Sequence, residues 1–515
     1  MATALERFEE WLGRERVEVD KQVVRIEVKE GDGTRHCAVY AARDLDLDLV
    51  EGKEDVDGDG DGEGEPTTAT VAVRIPKDAC LTRRTTECAR RLEDSEVGGP
   101  LALIVALMHE TSLGARSRWR PYLDLIPTRE DSLPVFWSDE DLRYLAGTSL
   151  EEKVELDRAL MAEDYEAIVR PFFEEAGAEG SGGGVTVDDF RAAASLVASR
   201  AFRVDSKHGD GMVPVADLFN HRTDKENVRI YGDSDDESDE EEGEGEAGEQ
   251  KQKEECLEML VVRGAKKHEE VFNTFGVHGN AGLIHKYGFS ELDNSHTEVE
   301  VSEEHVAEVV GEAEYKAALE ALGLESAVAE GEEGEGDEGI ESSSEEEAEV
   351  KLPADFVVTP DGDLSEDLKA VLEHASKSAG SKDSALLFHQ LVLEVLTLRM
   401  SAYPRLQEGG GDDAQEEEEG GGSSSKEDLS FLRQSFEPCV AGGGCTYAGK
   451  AAGLVLRITE KRALETAMLN TVDRLRAHAA DKKGNRNNKE EVGQRKKRRK
   501  IVSGTIYDPT VVFEK

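Results

Sequence analysis

The chain is poor in the residue patterns that build metal or disulfide sites. It has six cysteines in 515 residues, and none of them forms a Cys-x-x-Cys pair or a Cys/His cluster with zinc-ligand spacing. This excludes zinc-finger-type structural sites and favours a reduced intracellular protein. A Walker loop, a metal-binding motif and a Ser/His/Asp pairing are missing too. The sequence therefore offers no metal-based or serine-nucleophile chemistry.

Long apolar runs are also missing. No stretch of about 18 consecutive apolar residues occurs, which argues against a transmembrane helix. Residues 1–7 contain acids and no apolar run, so we expect neither a signal peptide nor an organelle transit peptide.

Apolar and aromatic residues are few, at 38% and 5%, whereas 34% of the residues are charged. Such a composition predicts that part of the chain lies outside any packed core. The formal net charge of -51 is concentrated in acidic Gly/Ser/Glu runs at 51–65, 233–255, 325–349 and 408–419. We interpret these runs as solvated inserts in a mildly acidic body. Attraction of basic partners, such as ribosomal or chromatin proteins, is the other interpretation.

Hydrophobic periodicity divides the rest of the chain into a mixed first part and a helical second part. Apolar residues recur at helical spacing in 5–12, whereas β-branched runs bounded by turn residues predict strands. The predicted strands are 23–28, 37–41, 70–76, 212–216 and 256–262, and the predicted helices are 101–113, 150–173, 187–201, 280–285, 366–373, 384–402 and 451–478.

Several short motifs occur in a definite order. A Trp-Arg-Pro-Tyr run at 119–122 and Pro-Val-Phe-Trp at 134–137 precede Ser-Arg-Ala-Phe at 199–202. Pro-Val-Ala-Asp-Leu-Phe-Asn-His follows at 214–221, then Phe-Asn-Thr at 272–274 and Tyr-Gly-Phe at 287–289. In this order they resemble the SET-domain lysine methyltransferases related to the Rubisco lysine methyltransferases, and most of all the nuclear and ribosomal-protein branch of that family.

The resemblance implies an α+β fold: a β-rich SET domain, threaded into a pseudoknot and interrupted by a helical insert, followed by an all-α substrate-docking lobe. The SET domain would occupy 1–295, with the insert at about 95–195 and an acidic loop at 232–255. An acidic linker would follow at 296–350, the helical lobe at 351–478 and a basic tail at 479–515. The match is good over roughly 1–290 and looser in the lobe.

The resemblance also implies S-adenosylmethionine as cofactor and assigns roles to residues. Tyr287 would be catalytic, with its hydroxyl beside the methyl-transfer channel and its ring bordering the lysine slot. Asn220 and His221 would bind the cofactor. Arg200 would lie between cofactor and substrate, or form a structural ion pair. Asp217 would contact substrate or brace the Asn-His turn.

Trp119 matches a family tryptophan near the substrate groove, and packing of the insert explains it equally well. Two departures from the family pattern stand out. His36-Cys37-Ala38 replaces the usual Gly-x-Gly, which leaves Cys37 as the cofactor-facing residue and less room for close backbone approach. Phe275 stands where relatives often have Tyr, and the missing hydroxyl would change the number of methyl groups added or weaken activity.

The predicted function is therefore S-adenosylmethionine-dependent N-methylation of a protein lysine, in a nuclear or ribosomal protein substrate. The alternatives are protein-histidine N-methylation, found in one branch of the family, and a non-catalytic SET scaffold that binds basic proteins. A basic block at 494–500 predicts nuclear import, with a solvated tail or RNA binding as alternatives. Membrane and nucleic-acid partners are not expected.

Overall fold

A computed structural model describes residues 3–31, 34–45, 70–95, 97–176, 185–232, 255–325, 352–353, 356–406, 424–436, 439–441 and 444–492. The acidic runs at 51–65 and 408–419, nearly all of the other two runs, and the basic block at 494–500 lie outside the described residues. The predictions made for them therefore stay predictions.

The strands of the described chain are short, and in its first part they alternate with helices. The strands are β1 (Glu18–Val19), β2 (Val24–Gly31), β3 (Thr34–Ala41), β4 (Val71–Pro76), β5 (Leu81–Thr82), β6 (Ala201–Asp205), β7 (Gly209–Met212), β8 (Val228–Gly232), β9 (Cys256–Val261), β10 (Phe289–Glu291), β11 (Val299–Glu300), β12 (Leu324–Glu325), β13 (Leu352–Pro353), β14 (Val357–Val358), β15 (Cys439–Ala441) and β16 (Gly444–Ala448).

The helices are longer towards the carboxyl terminus. They are α1 (Ala4–Arg14), α2 (Ala89–Asp94), α3 (Gly99–Leu113), α4 (Arg120–Leu123), α5 (Asp139–Leu142), α6 (Leu150–Asp164), α7 (Arg170–Ala176), α8 (Val187–Arg200), α9 (Asn280–Tyr287), α10 (Glu303–Val310), α11 (Glu312–Leu322), α12 (Glu366–Ser378), α13 (Ser384–Ser401), α14 (Ser425–Ser435) and α15 (Lys450–Val492).

The described chain divides into two units. The first comprises Met1–Arg143, Leu150–Ser295 and Phe436–Gly453, and the second comprises Tyr144–Ser149, His296–Ser435 and Leu454–Lys515. Among the described residues, no helix combines the length and the apolarity that crossing a bilayer requires.

The first unit is built on antiparallel sheets. One sheet has the strand order β1-β4-β9-β8, another has β5-β7-β6, and β2 pairs with β3 as a hairpin. Leu257, Met259 and Val261 of β9 point to the buried side, as the alternation in the sequence predicts. A single core joins these sheets to α1, α3 and α8.

Two predicted elements of the first unit need correction. The predicted helix at 150–173 is broken into α6, a π-helical turn at Tyr165–Val169, and α7. Pro171 explains the break, because it has no N–H for a regular helical bond. The predicted strand at 212–216 ends as β7 at Met212, and Ala216–Leu218 forms a 3-10 turn.

The second unit is helical but carries short strands, so the prediction of an all-α lobe is wrong in detail. β11 pairs with β14, and β12 with β13. Residues 296–325, expected to be linker, form β11, α10, α11 and β12. They fold because Val306 of α10, and Tyr315 and Leu319 one turn apart on α11, bury apolar side chains in the core of this unit.

The carboxy-terminal part of the predicted lobe also differs from the structure. Residues 436–453 belong to the first unit, where β16 pairs with β10. Helix α15 runs beyond the predicted end at 478 into the predicted basic tail. Within the second unit, Lys461 of α15 is buried and donates to Asp428 Oδ2 at 2.6 Å, and Tyr403 donates to Glu460 Oε2 at 2.6 Å.

Candidate functional site

Asn220 and His221 follow a turn whose backbone is strained. Val215, fully buried, has φ = 75°, a conformation that is unusual for a β-branched residue. The 3-10 turn at Ala216–Leu218 follows and ends at buried Phe219, after which Asn220 is exposed and His221 is buried. Such strain persists where the surrounding structure fixes it, and it is frequent at functional sites.

The segment 270–275 joins this turn to β3. The Val271 N–H donates to Val39 O at 2.7 Å, and the Asn273 N–H donates to Asn220 O at 2.8 Å. Asn273 also forms a parallel bridge with His221. This short segment therefore joins Val39 of β3 to the turn at 220–221, although the two are distant in the sequence.

An aromatic cluster surrounds Tyr287. Its ring centroid lies 4.7 Å from that of Phe275, 5.8 Å from His278 and 6.3 Å from Phe289. Burial raises the pKa of the Tyr287 hydroxyl above its ordinary value, so the hydroxyl stays protonated at neutral pH. The cluster provides a half-buried π-rich wall with one hydroxyl.

Gly288 fixes the end of the helix that carries Tyr287. It caps α9 in the left-handed conformation, with φ = 76°, and its N–H donates to Ile284 O at 3.0 Å. A Cβ at this position would lie 2.3 Å from Ser132 Oγ. Only glycine fits, because both the backbone angle and the neighbouring segment exclude a side chain.

His221 is held as a neutral imidazole. Its Nδ1 accepts from the Phe275 N–H at 3.0 Å, so the ring proton resides on Nε2, 3.1 Å from Thr223 Oγ1. Burial, with added repulsion from His278, lowers the pKa of His221 to about 4. The ring stacks on Phe275 with centroids 5.2 Å apart.

Arg200 and Asp217 form an ionic network with Glu130 and Tyr122. Arg200 donates from Nε and Nη2 to Glu130 Oε1 at 2.9 and 2.6 Å, and from Nη1 to Asp217 O at 3.1 Å. The Tyr122 hydroxyl donates to Asp217 Oδ2 at 2.8 Å. Burial raises the pKa of Asp217 to about 6, and the positive charge of Arg200 limits this rise.

Two predicted residues are observed in packing contacts. Trp119 is 1% exposed and its indole N–H donates to Ala79 O at 3.0 Å, which is the packing interpretation; its place in a substrate groove stays a prediction. Cys37 lies on β3 with its sulfur 3.9 Å from Leu125 O. Its contact with a cofactor also stays a prediction.

Sequence reasoning overlooked Asn273 and Arg222. Asn273 is fully buried, and within the described residues neither atom of its side-chain amide has a hydrogen-bond partner. Arg222 is buried beside His221 and pairs with Glu291 at 3.4 Å and Asp293 at 3.2 Å. Both residues could have been found from their position next to motifs in the sequence. Asn273 lies inside the Phe-Asn-Thr motif, and Arg222 directly follows Asn-His. In the described residues, no group of His, Cys, Asp or Glu is arranged to hold a metal.

Part of the chain is similar in sequence to known proteins. No family model matches the chain. It is 32% identical over 234 residues to N-lysine methyltransferase setd6 of Salmo salar and 31% identical over 232 residues to N-lysine methyltransferase SETD6 of Homo sapiens. These matches cover 42% of this chain and 47% and 44% of the two relatives, so the chain spans about half the length of the curated relatives it matches.

Solved structures share the fold over most of the chain. The SET domain of LSMT bound to lysine and AdoHcy superposes with a TM-score of 0.57 and 18% identity, covering 91% of each chain. Rubisco LSMT bound to AdoMet gives the same TM-score, with 92% of this chain and 93% of that chain covered. The chain thus has an α+β SET-domain fold like that of LSMT, with a helical carboxy-terminal region.

Proposed function

We propose that this protein is an S-adenosylmethionine-dependent protein-lysine N-methyltransferase. The observation that carries the proposal is the meeting of Asn220-His221, the segment 273–275 and Tyr287 in one place, on a SET-domain fold. The similarity to curated N-lysine methyltransferases supports it independently.

The residues present fit the cofactor. The buried Asn273 amide offers a donor and an acceptor that the described residues leave without partners. A buried amide is costly unless it is hydrogen-bonded, so a polar ligand at this point would remove a penalty of about 1–3 kcal/mol. Asn273, Asn220 and His221 would hold S-adenosylmethionine, with Arg200 at the border towards the substrate. When bound, the cofactor supplies a methyl group on a positively charged sulfur.

The protein must present a neutral amine in line with that methyl group. A lysine with a pKa near 10.4 is protonated at pH 7, and its deprotonation costs about 4.6 kcal/mol. The half-buried rings of Phe275, Tyr287 and Phe289 exclude water from the amine and accommodate its cationic forms. The lysine therefore gives up its proton to water before transfer, and the Tyr287 hydroxyl, which keeps its own proton, accepts an N–H of the neutral amine and so orients the nitrogen lone pair.

We place the substrate among nuclear or ribosomal proteins, and we assign substrate docking to the helical second unit. The basic block at 494–500 supports nuclear import. A fluorescent fusion of the full chain tests this. We expect nuclear accumulation that is lost when the lysines and arginines of the block are replaced by glutamine.

The experiment that tests the function is transfer of labelled methyl groups from S-adenosylmethionine into a nuclear and ribosomal protein extract. Acid hydrolysis of the labelled protein then identifies the modified amino acid. Methyllysine supports the proposal, and methylhistidine assigns the enzyme to the histidine-modifying alternative. Absence of label together with absence of cofactor binding would leave a non-catalytic scaffold.

A further inference from the structure

The segment 129–132 of the helical insert connects the two sides of the candidate site. At one end, Glu130 Oε1 accepts two of the hydrogen bonds that Arg200 donates. At the other end, Ser132 lies directly against Gly288, next to Tyr287. The segment therefore runs from the ionic network to the aromatic cluster.

Every residue of this segment is held in place. The Glu130 N–H donates to Ser195 Oγ at 3.1 Å, and Ser132 O accepts from the Trp137 indole at 2.9 Å. Arg129 donates to Asp131 Oδ1 at 2.5 Å and its guanidinium lies over the Phe136 ring. The bonds of Glu130 and Ser132 fix the backbone of the segment, which limits how far the Glu130 carboxylate can move.

Among the described residues, only one of the two oxygens of the Glu130 carboxylate receives a hydrogen bond. Both Arg200 donors reach Oε1, and no donor from the described residues reaches Oε2. The side chain keeps 18% of its exposure, so Oε2 is not sealed in the interior. Asp217 on the other side of Arg200 has an oxygen, Oδ1, that is buried and unpartnered within the described structure.

The network carries excess negative charge. Among the described residues, Arg200 is the cation that pairs with both Glu130 and Asp217, which leaves this group of three with a net charge of about -1 when both acids are ionised. The Asp217 side chain is buried, whereas Arg200 and Glu130 keep 20% and 18% of their side-chain exposure, so Glu130 is the carboxylate of the network that meets the solvent. The complementary ligand is a cation that approaches from outside.

We propose that Glu130 Oε2 binds a second basic side chain of the substrate, close in sequence to the target lysine, and that the enzyme therefore selects lysines in basic segments. This rests on the proposed methyltransferase function. The cation is not the methyl acceptor, because a carboxylate beside the reacting amine would raise its pKa and keep it protonated. Glu130 lies two residues from Ser132, so the distance from Glu130 to the aromatic cluster of Tyr287 is on the order of 10 Å. An extended peptide spans this distance in about three residues.

The test uses the full chain and fluorescent peptides with one central lysine in an Ala/Gly background. One peptide set carries a single arginine at each position from two to four residues on either side of the lysine, and the reference peptide carries none. Affinity is measured by anisotropy in the presence of S-adenosylhomocysteine, and methyl transfer is measured on the same peptides. We expect at least one arginine peptide to bind about fivefold more tightly than the reference peptide, with the difference shrinking in high salt.

The decisive quantity is the affinity for the arginine peptide divided by the affinity for the reference peptide, both measured with the same protein. In Glu130→Gln this ratio should fall to about one, whereas Asp131→Asn, an exposed neighbour already paired with Arg129, should keep it. A ratio of one in the wild type, or a preference unchanged in Glu130→Gln, overturns the proposal. A preference that depends on Glu130, with neither methyl transfer nor binding of S-adenosylmethionine, supports the acidic subsite and contradicts the methyltransferase function, so the two failures are distinguishable.

Discussion

The backbone N–H of Phe275 donates to Nδ1 of His221 at 3.0 Å, and the two rings stack. This bond joins the Asn-His turn to the segment that leads towards Tyr287. It requires a neutral imidazole, because a protonated His221 would turn its acceptor into a donor.

Acid should therefore weaken the fold through His221. Its pKa is about 4 in the folded protein and about 6.5 when unfolded. As the pH falls, His221 takes up a proton in the unfolded chain before it does so in the folded chain. The stability that neutral His221 contributes is therefore complete above pH 6.5 and is lost as the pH falls towards 4. Between pH 7 and pH 5 the wild type should lose about 2 kcal/mol more unfolding free energy than His221→Gln, as measured by urea denaturation. Equal losses in both proteins would contradict the neutral assignment.

Asn273 should behave as a ligand-binding residue rather than a structural one. Because its buried amide is unpartnered within the described residues, Asn273→Leu should leave the stability of the cofactor-free protein unchanged or raise it. Affinity for S-adenosylhomocysteine, measured by calorimetry, should fall about tenfold or more.

Asn280 is the matched control for Asn273. It is equally buried, but its amide donates to Glu291 O and accepts from the Glu291 N–H, both at 2.9 Å. Asn280→Leu should therefore destabilise the fold by about 2 kcal/mol or more. If both variants lose the same stability, Asn273 is satisfied within the protein and the ligand assignment is wrong.

Gly288→Ala should damage both stability and the position of Tyr287. A left-handed alanine costs about 1 kcal/mol, and the contact with Ser132 adds about 1–3 kcal/mol. Gly323→Ala is the control, since Gly323 caps α11 with φ = 70° and nothing lies within 4 Å of the new Cβ. Thermal unfolding should show the larger loss for Gly288→Ala, and equal losses would mean that the Ser132 contact is unimportant.

Phe275→Tyr should lower the number of methyl groups added to one lysine. The new hydroxyl would enter a ring cluster in which Phe275 and Tyr287 are 4.7 Å apart, taking space and offering a hydrogen bond to a less methylated amine. Intact-mass analysis of a modified peptide at completion should show a lower highest methylation state than the wild type produces. The same end state in both proteins would rule out this role for Phe275.

The main strands and helices of the first unit could be predicted because their signals are local. Leu5, Phe8 and Trp11 at helical spacing mark α1, and the alternation in β9 marks a half-buried strand. The chain order of the short motifs predicted a SET fold, and the superposition on LSMT confirms that fold.

What failed or was missed depends on contacts between distant residues. The pairing of β10 with β16 joins positions more than 150 residues apart, and no local pattern reveals it. The acidic composition near 296–325 hid helices whose apolar face is narrow. Asn273 carries no signal in its own residue type, since its significance lies in being buried with a side-chain amide that has no hydrogen-bond partner among the described residues.

The most direct test of the central claim compares the wild type with Tyr287→Phe, which keeps the ring and removes only the hydroxyl. Methyl transfer from S-adenosylmethionine and the affinity for that cofactor are measured in parallel. We expect kcat to fall about 100-fold or more, while cofactor affinity and thermal stability change little. Transfer at the wild-type rate by Tyr287→Phe would contradict the assignment of Tyr287 as the catalytic residue.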